Sequence, residues 1–261
     1  MSTDRRQFLR LAALSPPLLL AEACAANTGL PPGVAATRRR IKALAFDAFP
    51  VFDPRPIFAL TEQLFPGRGA ELGVLWRARQ FEYTWLRVAA QRYADFWQVT
   101  QEALVFAART LKLDLDERRR SRLMHAYLEL GAWPDVKPAL DSLKASGLRL
   151  VFLSNFTPPM LDAAIANAGL QGLFEHVLST DRVKSYKPDP RAYRMAMDAL
   201  GLQREEILFV PFAGWDAAGA RWFGYRTFWV NRAGAAGEEL GVTADGAGGD
   251  LSGLVDFVRA S

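Results

Sequence analysis

The chain has 261 residues, half of them hydrophobic, and a formal net charge of +4. Its length suits one domain with an insert or two small domains, and so apolar a composition without long polar runs excludes a disordered chain and calls for a large buried core. The mild charge argues against nucleic acid as a partner: the Arg38–Arg40 run reads as a solvated lead-in, because no wider basic stripe with interleaved aromatics accompanies it.

Residues 1–26 have the architecture of an export signal. "TDRRQFLRLAALSPPLLLAEACAA" carries Arg5 and Arg6, a short apolar stretch, and small residues suited to cleavage. The Arg-Arg pair followed by Gln-Phe-Leu resembles a twin-arginine signal, which implies the twin-arginine export machinery as a partner and delivery of a folded protein to the periplasm. The apolar part is too short and too interrupted by proline to span a membrane well. An uncleaved anchor or tail is the alternative reading. Lipid anchoring at Cys24 is another, disfavoured because "AEAC" lacks a leucine three residues before the cysteine. Cys24 is the only cysteine, so an intramolecular disulfide is excluded. Residues 27–40, "NTGLPPGVAATRRR", read as a linker.

"IKALAF" (41–46) is a short apolar run ending at Asp47 and is expected to be a buried strand. Residues 56–130 differ: rich in Leu, Ala, Arg, Glu, Gln and aromatics at helical spacing, they predict several helices and no strand. From 135 onward, helix and strand alternate. "VKPALDSLKASG" is a helix closed by Gly147, "LRLVFLSN" a strand ending at Ser154 and Asn155, and "PPMLDAAIANAG" a helix opened by proline and closed by Gly169. "HVLST" (strand), "DPRAYRMAMDALG" (helix), "EILFVPF" (strand), "WDAAGARWFG" (helix) and "YRTFWVN" (strand) follow. This alternation predicts an α/β fold with a parallel sheet covered on both faces, into which residues 56–130 are inserted as a helical cap. Sites in such sheets lie at the C-terminal ends of the strands. Asp47, Ser154-Asn155, Lys187 in "SYKPDP", and Asp216 should therefore converge on one edge. Each has a plainer reading: a turn aspartate for Asp47, a solvated loop lysine for Lys187, and a helix-start carboxylate for Asp216.

The spacing Asp47…Ser154-Asn155…Lys187-Pro188…Asp216 resembles the haloacid dehalogenase superfamily over roughly 41–258. The stretches "FPGRG", "LWRARQFEYTWLR", "LSNFTP", "YKPDPRAY" and "WDAAGARWFGYRTFWVNR" resemble its type II L-2-haloacid dehalogenases. The resemblance implies a Rossmann-like core (41–55 and 131–261) with an inserted α-helical cap (56–130). It also implies hydrolytic dehalogenation of short 2-haloalkanoic acids to 2-hydroxy acids of inverted configuration, through an ester on Asp47 and without metal or organic cofactor. The residues agree in part. A phosphatase of the superfamily uses a second aspartate two residues after the nucleophile and an acidic cluster for Mg²⁺. Here that position is Phe49, and Asp216 has no neighbouring carboxylate in the sequence.

By the same resemblance, Asp47 attacks C2, Lys187 pairs with the carboxylates and keeps Asp47 ionised, and Asp216 orients or activates the hydrolytic water. Arg77 and Asn155 receive the halide, Ser154 holds the substrate carboxylate with help from backbone N–H groups, Phe96 and Trp215 wall the pocket, and Tyr193 supports Lys187. Against this, Arg77 has the alternative of an exposed helix residue beside Arg79, Glu82 and Arg87, and Phe96 and Trp215 that of ordinary core residues. Relatives of this type often form dimers through the cap, so a homodimer is a possible partner arrangement for the aromatic segment 76–97.

Two departures stand out. Where the family has Asp-x-Tyr-Gly-Thr-Leu, this chain has "DAFPVF", one residue shorter: a phenol and a threonine hydroxyl are gone, and Pro50 lacks an N–H. Where the family has Ser-Ser-Asn, this chain has Pro211-Phe212-Ala213. Both changes replace hydrogen-bond donors with apolar groups. The halide side is intact and the hydrolytic side depleted, so alkylation of Asp47 is expected to survive better than hydrolysis of its ester. Two functions follow: turnover of a short 2-haloacid, or a catalytically impaired relative that binds a small carboxylate or another partner in the same cleft.

Overall fold

The structure, a computed structural model, describes residues 40–261; the export signal, Cys24 and all of the linker but Arg40 lie outside the described residues. The first strand, β1 (Ala43–Phe46), is fully buried. Five more follow: β2 (Arg149–Ser154), β3 (His176–Ser179), β4 (Ile207–Val210), β5 (Arg226–Val230) and β6 (Gly246–Gly248). They form one sheet in the order β3-β2-β1-β4-β5-β6, and every neighbouring pair is parallel.

Side chains alternate across this sheet as strand geometry requires. Leu44, Phe46, Leu150, Phe152, Leu208 and Val210 enter one core, whereas Ala43, Ala45, Val151, Leu153, Ile207 and Phe209 enter the other. The first core is closed by α5 (Val136–Ala145), α6 (Pro158–Asn167) and α9 (Leu251–Arg259), the second by α7 (Pro190–Leu200) and α8 (Gly214–Phe223). Local chemistry sets the helix ends. Asp189 caps α7 by accepting from the Arg191 N–H at 2.8 Å, with Pro190 at the first helical position. The expected α/β architecture with a parallel sheet is what the chain adopts. The short strand β6 and the helix α9 were not among the elements expected from the sequence.

Strand order reverses at β1: β2 and β3 lie on one side, β4 to β6 on the other. The loops leaving β1 and β4 therefore diverge, and a crevice opens at the carboxyl ends of these strands.

Between β1 and α5 lie four α-helices: α1 (Arg55–Leu64), α2 (Gly69–Ala89), α3 (Phe96–Thr110) and α4 (Glu117–His125). Two stripes of α2, each spaced by four residues, divide its work. Trp76, Gln80 and Thr84 are buried, and Trp76 Nε1 and Gln80 Nε2 donate to Thr100 O and Oγ1 of α3 at 2.8 and 2.7 Å. The adjacent stripe, Arg77, Phe81 and Trp85, faces a cleft shared with the start of α8. Among the described residues no helix is long and apolar enough to cross a membrane.

Candidate active site

Asp47 is the first residue beyond β1. Its N–H donates to Val210 O at 3.1 Å, which extends the ladder with β4 and fixes where the carboxylate starts. Asp47 Oδ1 accepts from Lys187 Nζ at 2.8 Å, and the same ammonium donates to Asp216 Oδ2 at 2.6 Å. Lys187 and Asp216 side chains are each 1% exposed, so this is an internal ion cluster and not a surface bridge. Asp216 lies in the first turn of α8, but the side chain is spent on Lys187 and on Tyr193, whose hydroxyl donates to Asp216 Oδ1 at 2.7 Å. Gly219, one turn further along α8, makes room for that hydroxyl: a Cβ there would sit 2.6 Å from it.

Burial shapes the titration of the cluster. It opposes the charge on Lys187, but the Asp216 and Asp47 carboxylates more than offset it and hold the ammonium above the ordinary lysine value. Burial also pushes the Asp216 carboxyl up, to about 6, against the pull of Lys187 and with a further push from Asp47.

Of the nine side chains singled out from the sequence, Asp47, Arg77, Phe96, Ser154, Asn155, Lys187 and Trp215 line one small chamber of about 20 Å³. That is room for about one water molecule. Asp216 lies just behind Lys187. Tyr193 requires a correction: fully buried, it bonds Asp216 and not Lys187, and it does not line the chamber, so it supports the lysine only through the aspartate and does not touch a ligand.

Three polar groups facing this chamber have no protein partner among the described residues. Asp47 Oδ2 is one. The second is the Arg77 guanidinium, which makes no hydrogen bond or ion pair and lies 5.4–5.5 Å from the ring centres of Phe49, Phe81 and Phe212. Burial lowers its pKa, although Tyr127 and Asp47 oppose the shift; an arginine remains charged nonetheless. The third is the Asn155 amide nitrogen. Asn155 Oδ1 accepts from the Lys187 N–H at 3.1 Å and from Thr180 Oγ1 at 3.3 Å, and this network assigns the Nδ2 donors to the free end. A carboxylate oxygen thus shares a small chamber with a cation and an amide. Nearby, Ser154 Oγ accepts from the Phe156 N–H at 3.1 Å. Among the described residues, no three His, Cys, Asp or Glu side chains are grouped to hold a metal ion.

The lost donors of the nucleophile loop have no polar replacements inside the chamber. Phe49 packs on Phe156 and Phe212 at 5.3 and 5.8 Å, and Val51 is fully buried. Instead, the loop is held from its outer side. Trp133 Nε1 donates to the carbonyls of both Phe49 and Phe52 at 3.1 Å. Arg232 Nη2 donates to Pro50 O at 2.8 Å, while its guanidinium pairs with Asp135 at 2.8 Å and stacks 4.5 Å over the Trp133 ring. Sequence reading missed Trp133 and Arg232. The only cue was an arginine directly after the strand "YRTFWVN".

The family model for haloacid dehalogenase-like hydrolases matches residues 24–224. The chain belongs to this family. It is 49% identical over 206 residues to an (S)-2-haloacid dehalogenase of Pseudomonas sp. (strain YL), an alignment covering 78% of this chain and 89% of that protein. A crystal structure of an L-2-haloacid dehalogenase superposes with a TM-score of 0.83 at 45% identity, covering 85% of this chain and all of the other. The L-2-haloacid dehalogenase of Xanthobacter autotrophicus with chloropropionic acid covalently bound superposes with a TM-score of 0.77 at 35% identity, covering 84% and 98% of the two chains. The fold and the family implied by the motifs are thereby established, and the family is one of hydrolases.

Lys187→Met tests the ion cluster. It leaves two carboxylates facing each other without a cation, and breaking a buried pair costs about 3–5 kcal/mol. Without Lys187, the Asp216 carboxyl rises beyond its present value of about 6. A carboxyl whose folded pKa exceeds its unfolded value adds stability that is full below the unfolded value and is lost as pH rises through the folded one. The variant should therefore melt well below the parent at pH 8 and recover part of the difference at pH 5, as measured by calorimetry at both values.

Proposed function

We propose that the protein hydrolyses the carbon–halogen bond of (S)-2-haloacids and yields 2-hydroxy acids of inverted configuration. The observation that carries this reading is the set of three unspent groups around one small chamber: Asp47 Oδ2, the Arg77 guanidinium and Asn155 Nδ2. Displacement at carbon needs a nucleophile on one side and a cradle for the departing anion. Asp47 Oδ2 attacks C2, the carbon–halogen pair leaves with the halide, and Arg77 and Asn155 receive it. Lys187 holds Oδ1 and leaves Oδ2 free to attack. Ser154, with backbone N–H groups at the start of the Asp47 loop, receives the substrate carboxylate. Water then attacks the carbonyl carbon of the Asp47 ester, and its proton passes to Asp216, the carboxylate made most basic by burial. Both Asp216 oxygens already accept one hydrogen bond, and each keeps a second lone pair. The bond between the acyl carbon and the ester oxygen breaks, the departing alkoxide takes the proton left on the tetrahedral hydroxyl, and Asp47 returns as a carboxylate, so C2 is inverted only once. The relatives named above, one of them captured with a covalently bound acid, support this sequence of steps.

The second reading, binding of a small carboxylate with impaired turnover, is favoured by one observation: Phe49, Val51, Phe212 and Ala213 contribute no side-chain donors around the ester. Halide release against time separates the two. With (S)-2-bromopropionate the expected result is sustained release, abolished by Asp47→Asn. It should fall on the acid side with a midpoint near 6, because below that value Asp216 is protonated and cannot accept the proton of water. A single equivalent of halide per protein would place the defect in ester hydrolysis and support the second reading.

Arg232 is proposed as a positioning residue. Arg232→Ala frees the Pro50 carbonyl, and a nucleophile misplaced by about 1 Å costs on the order of 100-fold in rate. The expected outcome is a loss in kcat with KM nearly kept, partly restored by Arg232→Lys, whereas a merely structural role would lower the amount of folded protein and leave the kcat of the folded fraction intact.

We also propose export to the periplasm through the twin-arginine machinery, supported by Arg5-Arg6 and the apolar stretch after them. Replacing both arginines with lysine should retain the protein in the cytoplasmic fraction.

A further inference from the structure

We propose that the substrates of this site include 2-haloacids bearing a large apolar substituent on C2, an alkyl chain of about six carbons, whose tail occupies a cleft beside the reaction chamber. This rests on the dehalogenase reading and specifies its substrate class.

The chamber is too small to hold such a molecule. Its 20 Å³ accommodates about one water, so the carboxylate, the halogen and C2 already require its walls to yield. On the other side of one wall lies a cleft of about 800 Å³. Chamber and cleft share Arg77, Phe81, Phe212, Ala213 and Trp215, which form the partition between them. The partition is built from side chains of α2 and of the turn entering α8, and its smallest member is Ala213.

The two spaces differ in chemistry. The chamber presents the Asp47–Lys187 pair, the Asn155 amide and the Arg77 cation. The cleft exposes mostly apolar surface, from Phe58, Val74, Trp85, Trp133 and Trp229, and the charged Arg55, Glu82, Arg232 and Glu238 also line it. Val74 is 72% exposed and Trp85 37%, although both lie on a helix whose other face is fully packed. Trp215 joins the two spaces: its ring contacts Phe81 at 5.2 Å and Trp85 at 5.4 Å between centroids. An anionic, polarised head on one side of a thin aromatic wall and a long apolar surface on the other match an amphiphile with its halogen next to its carboxylate. Cleft volumes of this order are typical of sites that enclose a ligand of substantial size.

Two measurements on the whole protein test the assignment. The first compares kcat/KM for halide release from (S)-2-bromooctanoate and (S)-2-bromopropionate; the octanoate is expected to be at least about tenfold better. The second follows tryptophan fluorescence as unreactive octanoate or propionate is added. Each fully buried methylene is worth about fourfold in affinity, so partial burial of five should make octanoate at least about 30-fold tighter. Ala78→Trp, at an exposed position that lines the cleft and not the chamber, should erase most of the octanoate advantage in both measurements. Octanoate binding no tighter than propionate would overturn the proposal, as would an octanoate preference that Ala78→Trp leaves intact or bromopropionate being turned over better than bromooctanoate. If neither bromoacid releases halide, the dehalogenase reading fails, and octanoate binding together with its sensitivity to Ala78→Trp still decides whether the cleft receives an apolar tail.

Discussion

An ammonium group withdrawn from water is tolerable only where opposite charges meet it, and Lys187 imposes that condition on everything around it. Its nitrogen has two carboxylates within 3 Å, one from the loop after β1 and one from the first turn of α8, after β4. Those two strands are neighbours in space yet far apart in sequence, because the sheet order reverses at β1. The reversal brings Asp47 and Asp216 close enough for one cation to serve both, and it opens the crevice where Asp47 keeps one oxygen free. The cluster carries one net negative charge, and Arg77 in the same chamber balances it. Tyr193, Gly219 and the Asn155 carbonyl then act as fittings: each fixes a member of the cluster without touching the space where a ligand sits.

This arrangement also shows what was readable from residues alone. Strand ends were legible because apolar runs stop abruptly at Asp47 and at Ser154-Asn155, and a parallel sheet places such ends on one edge. The motif spacing then gave the family. The partner of Tyr193 was not legible, since α7 and α8 meet across the sheet face and no spacing rule links positions 193 and 216. Strand β6 was missed for a different reason. Its sequence is Gly-Ala-Gly, without the branched or aromatic residues that mark strands, and it forms because Gly246 lets the rings of Phe228 and Phe257 close over it: a Cβ there would lie 2.7 Å from Phe257. The Trp133–Arg232 clamp was hidden because it binds backbone carbonyls, and carbonyls leave no trace in sequence.

That clamp changes how the loop departures are understood. A loop that lacks glycine and threonine loses donors directed at the nucleophile, but position and donation are separate requirements. Position is restored by ties to three backbone carbonyls of this one turn: those of Phe49, Pro50 and Phe52 are held by Trp133 and Arg232, which do not line the chamber. Pro50 suits this role, since it has no N–H to satisfy and a fixed φ, and its carbonyl is the group that is used. The anchor is itself braced, because Asp135 accepts from Arg232 and from the Leu251 N–H at 2.9 Å, coupling the nucleophile loop to the start of α9.

Donation is not restored, and the consequence falls unequally on the two steps proposed for the reaction. Attack by a carboxylate on carbon gains from a dry, aromatic-lined space, because a nucleophile with fewer hydrogen bonds is less stabilised before it reacts. Hydrolysis of the ester has the opposite need, for a water held against a base. Without a ligand the chamber has room for about one water, so the rearrangement that admits a substrate must also leave a place for the water of the second step. The Asp47 side chain, 15% exposed, keeps only a small opening to solvent. With the serine and asparagine side chains absent, the proposed mechanism assigns the orientation of that water to the Lys187–Asp216 pair, and the burial that raises the Asp216 carboxyl then favours its role as the base.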